Sequence, residues 1–149
     1  MSLIQTSVQR LLTLDLTKLK EEISLFQNEG DLWKVQGEIS NSAGNLAIHL
    51  AGSLHHFVGA ILGKNGYVRE RDKEFSDKDI PRTEVLNRID RAIEVINQVI
   101  PAISEEQLEE EFPHKTAGEP LNTGMFLIHL VRHVNYHLGQ VNYLRRILK

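Results

Sequence analysis

The sequence predicts an all-α fold: four long helices packed as an antiparallel bundle, with one long connection between the second and third. Three observations carry this. Apolar residues recur at three- and four-residue steps in four separate stretches. Turn-forming residues cluster between those stretches. No stretch alternates apolar and polar residues with the period of a strand. A chain of 149 residues is expected to form one domain, 1–149, large enough to bury its own core.

The first helix runs from about Ser2 to Phe26, with Val8, Leu11, Leu12, Leu16, Leu19, Ile23 and Phe26 as its apolar stripe. It stops in QNEGDLW, where Gly30 is expected to supply a left-handed cap. ISNSAGN then leads into the second helix, with Ser42 or Asn45 as N-cap. That helix carries NLAIHLAGSLHHFVGAIL and ends at Gly63. KNGYVRERDKEFSDKDIPR is a polar connection whose length predicts ordering by contacts. Pro81 opens the third helix, Val85, Ile89, Ile93, Val95, Ile96 and Val99 mark its core side, and Pro101 ends it. SEEQLEEEFPHKTAGEP reads as a short acidic helical turn, its charge solvated, followed by a loop. The fourth helix starts near Asn122 or Thr123 and runs nearly to the end, with Arg145, Arg146 and Lys149 where cations favour the helix dipole.

Composition narrows the function. Apolar content of 41 % and charged content of 25 % suit a soluble globular protein. A net charge of −3 provides no basic field for nucleic acid. With no cysteine, disulfides, thiolate metal sites and a cysteine nucleophile are excluded. The N-terminal stretch lacks the pattern of a secretory signal. The apolar runs are interrupted by His, Asn or charge before the roughly 20 residues of a membrane span. A cytoplasmic protein with neither nucleic acid nor membrane as partner is expected.

Three of the seven histidines fall in IHLVRHVNYHLGQ, at four-residue steps. At about 100° per residue, Phe126, Leu130, Val141, Leu144 and Leu148 cluster on one face of the fourth helix. His133 and His137 fall in or beside that cluster, and His129 lies roughly 40° outside His133, toward the flank. The inward pair is one turn apart, a spacing that can chelate one divalent ion. The glutamate of HExxH is absent, because position 134 is Val. A third ligand is wanted. On the second helix, His49 and His56 flank the apolar side formed by Leu50, Leu54, Phe57 and Ile61, near the small residues Gly52, Ser53 and Ala60. His55 points toward solvent. Periodicity leaves both His49 and His56 open.

HxxxHxxxHxGQ followed by an arginine-containing helix end resembles the last helix of the DinB/YfiT-like superfamily. NSAGNLAIHLAGSLHHFVG with the following YVRERDKEF is similar to one uncharacterised subfamily of that group. The resemblance covers about Trp33 to Lys149. It implies an up-down-down-up four-helix bundle with a long crossover between helices two and three. It also implies a divalent metal, zinc or nickel, held by His49, His133 and His137. His129 is then expected beside the site, hydrogen-bonding a ligand or packed on the flank, and His56 lies near the pocket. Asn45 and Gln140 either orient ligands or cap and pack. Gly139 is expected to permit close helix approach. Such proteins pair as homodimers, here through apolar residues left over on the first or fourth helix.

Three imidazoles with no carboxylate ligand leave an ion its full charge, suited to activating water or a coordinated thiol. Two reactions on a small-molecule substrate follow: hydrolysis, and transfer using an external low-molecular-weight thiol. Tyr136, Asn41, Asn45 and Arg71 are candidate helpers. The alternative is a non-catalytic or stress-related bundle with a structural metal. In YVRERDKEF, the residues Arg69, Arg71, Asp72 and Glu74 form either a solvated loop or ion-pair network, the expected reading, or an anion site at the pocket mouth.

Overall fold

The computed structural model describes residues 1–114 and 118–149. It is all-helical: among the described residues there are six α-helices and no strand, only an isolated bridge between Glu111 and Asn122. Four helices are long: α1 (Leu3–Leu25), α2 (Ala43–Leu54, continued by π-helical turns over His55–Leu62), α4 (Arg82–Val99) and α6 (Thr123–Ile147). Two are short, α3 (Arg71–Ser76) and α5 (Glu105–Glu109). Helices α1 and α2 each pack against both α4 and α6 and touch one another little. The core between them is aliphatic, with Leu12, Leu16, Leu19, Ile23, Leu50, Ile89, Ile96, Val134 and Val141 all inaccessible to solvent. Each such side chain contributes about 1.5–3 kcal/mol by leaving water.

Local chemistry sets the helix ends. Ser2 and Gln5 form a capping box on α1, and Gln5 Nε2 also donates to Ile100 O and Ile103 O, tying this end to the end of α4. The far end of α1 departs from expectation. Gly30 lies in a 3₁₀ turn, Glu29–Trp33, and has no left-handed backbone; α1 stops on extended Phe26. Its last carbonyls are satisfied instead by Arg82, which donates to Phe26 O at 2.7 Å and Ser24 O at 3.2 Å. An arginine 56 residues on from Phe26 makes a local glycine cap unnecessary. Ser42 is the N-cap of α2 and Asn122 that of α6. Pro81 caps α4, which runs through Val99 into a 3₁₀ turn at Ile100–Ala102.

Leu11, placed on the stripe of α1, is 46 % exposed. Ala43–Leu62 has the length and apolarity of a membrane-crossing helix, contrary to the interrupted runs expected, but 72 % of that window is buried inside the protein. Its hydropathy is spent on packing. The polar connection after Gly63 is ordered by contacts, and it contains α3, a helix with no counterpart among the expected elements. The acidic run forms α5, with its glutamates exposed and Leu108 and Phe112 buried. Part of the following loop, residues 115–117, lies outside the described residues.

Candidate metal centre

Helix α2 presents His49 to the fourth long helix, α6, which presents His133 and His137 one turn apart. Each of these three histidines offers one ring nitrogen, and the three nitrogens lie within 4.8 Å of one another. His49 Nε2 is 3.2 Å from His133 Nε2. The ring planes are nearly perpendicular in all three pairs, at 87°, 85° and 84°. The imidazoles therefore converge as three faces of a corner, close enough to share one ion. His49 is buried, while His133 and His137 are half-buried.

The other ring nitrogens fix two of the tautomers. Glu74, from α3, accepts from His49 Nδ1 at 3.0 Å. A carboxylate only accepts, so Nδ1 carries a proton, and in the neutral ring that leaves the Nε2 lone pair directed toward the other two rings. Gln140 Oε1 accepts from His137 Nδ1 at 2.6 Å, which frees His137 Nε2 in the same way. A donor set of neutral imidazoles with outer hydrogen-bond acceptors fits Zn²⁺, Ni²⁺ or a similar borderline cation. Burial pushes the His133 pKa down to about 3, helped by His137, His49, His129 and Arg69. Burial lowers the His137 pKa as well, against the opposing effect of the hydrogen bond it donates to Gln140. Both rings are neutral near pH 7, the form a metal requires.

Glu74 itself sits in a built seat. Arg69 grips it with two hydrogen bonds, Nε to Oε2 at 2.9 Å and Nη2 to Oε1 at 2.8 Å. Burial raises the carboxyl pKa, but the hydrogen bonds from His49 and Arg69 and the guanidinium charge more than offset this, and the net shift is downward. Glu74 is ionised. Asn45 Nδ2 holds the backbone beneath it, donating to Glu74 O at 3.0 Å and Asp77 O at 2.9 Å. Gly52 provides the space, since a Cβ there would overlap Glu74 Oε2. Phe75 covers the outer side of His49, ring centroids 4.7 Å apart.

Several expectations are thereby refined. Asn45 is not the cap of α2 but accepts from the capping Ser42, and it also fixes the segment that orients His49. Gln140 contacts His137 directly. His129 stacks toward His133 with centroids 6.4 Å apart and stays outside the trio. His56 packs on Phe57, its Nδ1 buried without a partner among the described residues. His55 is not simply solvated: it stacks on Tyr67 at 4.0 Å, and burial, then Arg91, lowers its pKa. Gly139 makes no close approach, because a Cβ there meets nothing within 4 Å. The ion-pair reading of YVRERDKEF holds for Arg69 and Glu74, but this pair is buried against His49, not spread over a solvated loop. An ion at the trio would thus have an outer carboxylate, although its charge is answered in part by Arg69.

Glu74, Arg69 and Gly52 had little sequence signal. Glu70, Asp72 and Glu74 look alike in a charged run. A small residue three positions after His49 was the available hint that something packs closely there.

Two cavities adjoin the trio. One of about 310 Å³ is lined by His49, His133, Ser53, Phe57, Phe126 and both Arg69 and Arg71. The other, about 490 Å³, is lined by His137, Gln140, Tyr136, Tyr143, Asn41 and Leu46. The imidazoles are therefore accessible to small molecules from two sides.

No curated protein matches the chain. A family model does, over residues 7–149, under the description "Protein of unknown function (DUF1572)". This span includes all three histidines, the seat of Glu74 and all four long helices but for the first turn of α1, and the chain belongs to the DUF1572 family.

Proposed function

We propose that the protein is a divalent-metal-dependent enzyme of the DinB-like type, acting on a small molecule through an ion held by His49, His133 and His137. The observation that carries this is the convergence of three imidazoles within 4.8 Å, two with their outer nitrogens pinned by Glu74 and Gln140. A purely structural metal would be closed off by protein ligands; here cavities reach the trio from both sides. When bound, a divalent ion supplies Lewis acidity, polarising a carbonyl or lowering the pKa of water or a thiol. The chain's own residues hold His49 in one tautomer, orient His137 and wall the site with aromatic rings.

The reaction is hydrolysis or transfer to an external thiol. Two access routes favour transfer, which must seat two organic molecules. The experiment is turnover by zinc- or nickel-loaded protein against activated esters and amides, with and without low-molecular-weight thiols. Turnover lost in His133→Ala and kept in His55→Ala supports the enzyme. No turnover on any substrate, with the ion only raising the melting temperature, assigns the metal a structural role.

The packing of α1 and α2 against both α4 and α6 supports an up-down-down-up bundle. Leu3, Leu11 and Leu14 of α1 with Met125 and Ile128 of α6 are exposed apolar side chains, and they support pairing of two chains. Light scattering on the purified protein tests that: a monomer at micromolar concentration argues against it.

A further inference from the structure

The cavity on the His49 and His133 side differs in charge from its surroundings. Its lining includes two arginines, Arg69 and Arg71, and no carboxylate among the described residues. The protein as a whole carries net charge −3, and the cavity on the opposite flank of α2 mixes both signs, with Glu70, Glu74, Asp77 and Glu84 beside Lys73, Arg88 and Arg91. Acidic groups are thus common nearby and absent here.

The two arginines are not equivalent. Arg69 is consumed by Glu74 in a buried two-bond pair. Arg71, at the start of α3, is exposed and has no carboxylate partner among the described residues; its guanidinium lies 5.1 Å from the centre of the Phe75 ring. Its charge is available at the cavity rim. Phe57 and Phe126, buried and with ring centroids 5.0 Å apart, form an apolar wall. Ser53 lines the same cavity one turn beyond His49 and is 2 % exposed.

We infer that this cavity binds a small organic anion, a carboxylate or phosphate ester carrying an aromatic or branched apolar body, with the anionic group on Arg71, the body against Phe57 and Phe126, and a polar atom on Ser53. The volume of about 310 Å³ lies at the lower end for small-molecule sites and suits a ligand of one ring. The inference rests on the metal-site reading only in that the bound molecule would lie beside the trio. The guanidinium, the aromatic wall and the hydroxyl are present without the ion.

The test is calorimetric titration of the full chain, both metal-free and zinc-loaded, with phenylacetate, phenylacetamide and 2-phenylethylamine. These probes share a ring and differ in charge. Phenylacetate is expected to bind at least about tenfold more tightly than the amide, and the amine more weakly still, as a charge-assisted contact requires. Arg71→Gln, which keeps the stem over Phe75, should remove the preference for the anion, and Arg71→Glu should invert it toward the amine. Neither variant is expected to change the thermal midpoint or the zinc stoichiometry. Equal affinity for the three probes, or phenylacetate binding untouched in Arg71→Gln, overturns the inference. Anion binding in a protein that takes up no zinc would sink the metal reading and leave this one standing.

Discussion

Glu74 is the residue on which most of the site's geometry turns. It receives His49 Nδ1, two arms of Arg69 and, through its backbone, Asn45. Removing its charge while keeping its shape isolates the electrostatic part. Glu74→Gln is expected to weaken zinc affinity by about 10–100-fold, the usual effect of losing an outer partner of a ligating histidine, as read by competition against a chelator of known affinity. Unchanged affinity would mean that His49 is held by packing alone. Gly52→Ala should act in the same direction with no polar change. Alanine is the better helix former by about 1 kcal/mol at an exposed position, yet its Cβ would meet Glu74 Oε2. A variant that is more stable than wild type with intact zinc affinity would contradict the seat described above.

His133 makes the stability of the ion-free protein depend on pH. Its folded-state pKa of about 3 lies below the ordinary histidine value of 6.5 that the unfolded chain would show. Between those values the unfolded chain binds the extra proton, so stability falls as pH falls. Above about 6.5 this group contributes no slope. Chelator-treated protein should therefore lose denaturant resistance steadily from pH 6.5 to pH 4, and His133→Gln should flatten that slope. Equal midpoints at pH 7.5 and pH 4.5 would argue against a desolvated imidazole.

At the scale of elements, the sequence spoke clearly for the long helices and barely for what joins them. The period of Val8, Leu12, Leu16, Leu19 and Ile23 is a local property, and it located α1 without reference to the rest of the fold. The same projection turned His133 and His137 inward, and both face His49. His49 could not be separated from His56 on periodicity, because the choice depends on where α6 crosses α2. The end of α1 escapes local pattern for the same reason: the groups that satisfy it come from Arg82, a distant residue. α3 spans six residues, too short to show a helical period. The π-helical turns over His55–Leu62 also lack a local sign; wider winding there sets the directions of His55 and His56. Pairing between elements can be probed at Arg145, whose Nε donates to buried Glu22 Oε2 at 2.7 Å, joining α6 to α1. Arg145→Ala leaves Glu22 with Asn142 alone and is expected to cost about 1–3 kcal/mol in chemical denaturation. A cost below a few tenths would show that water replaces the guanidinium freely.

For the whole molecule, the core and the trio are separable. Aliphatic burial among α1, α2, α4 and α6 suffices for a folded ion-free protein of this size, unlike small domains that need a metal to fold. An ion that binds only the folded chain then adds stability by mass action, about 2.7 kcal/mol at a hundred times its dissociation constant. The most direct measurement is anomalous X-ray diffraction from crystals of the zinc- or nickel-loaded full chain. One ion should appear with nitrogen ligands from His49, His133 and His137 at about 2.0–2.1 Å, and with at least one further position facing a cavity. An ion bound by other residues, or no ion while His49 turns away from His133 and His137, would contradict the metal centre.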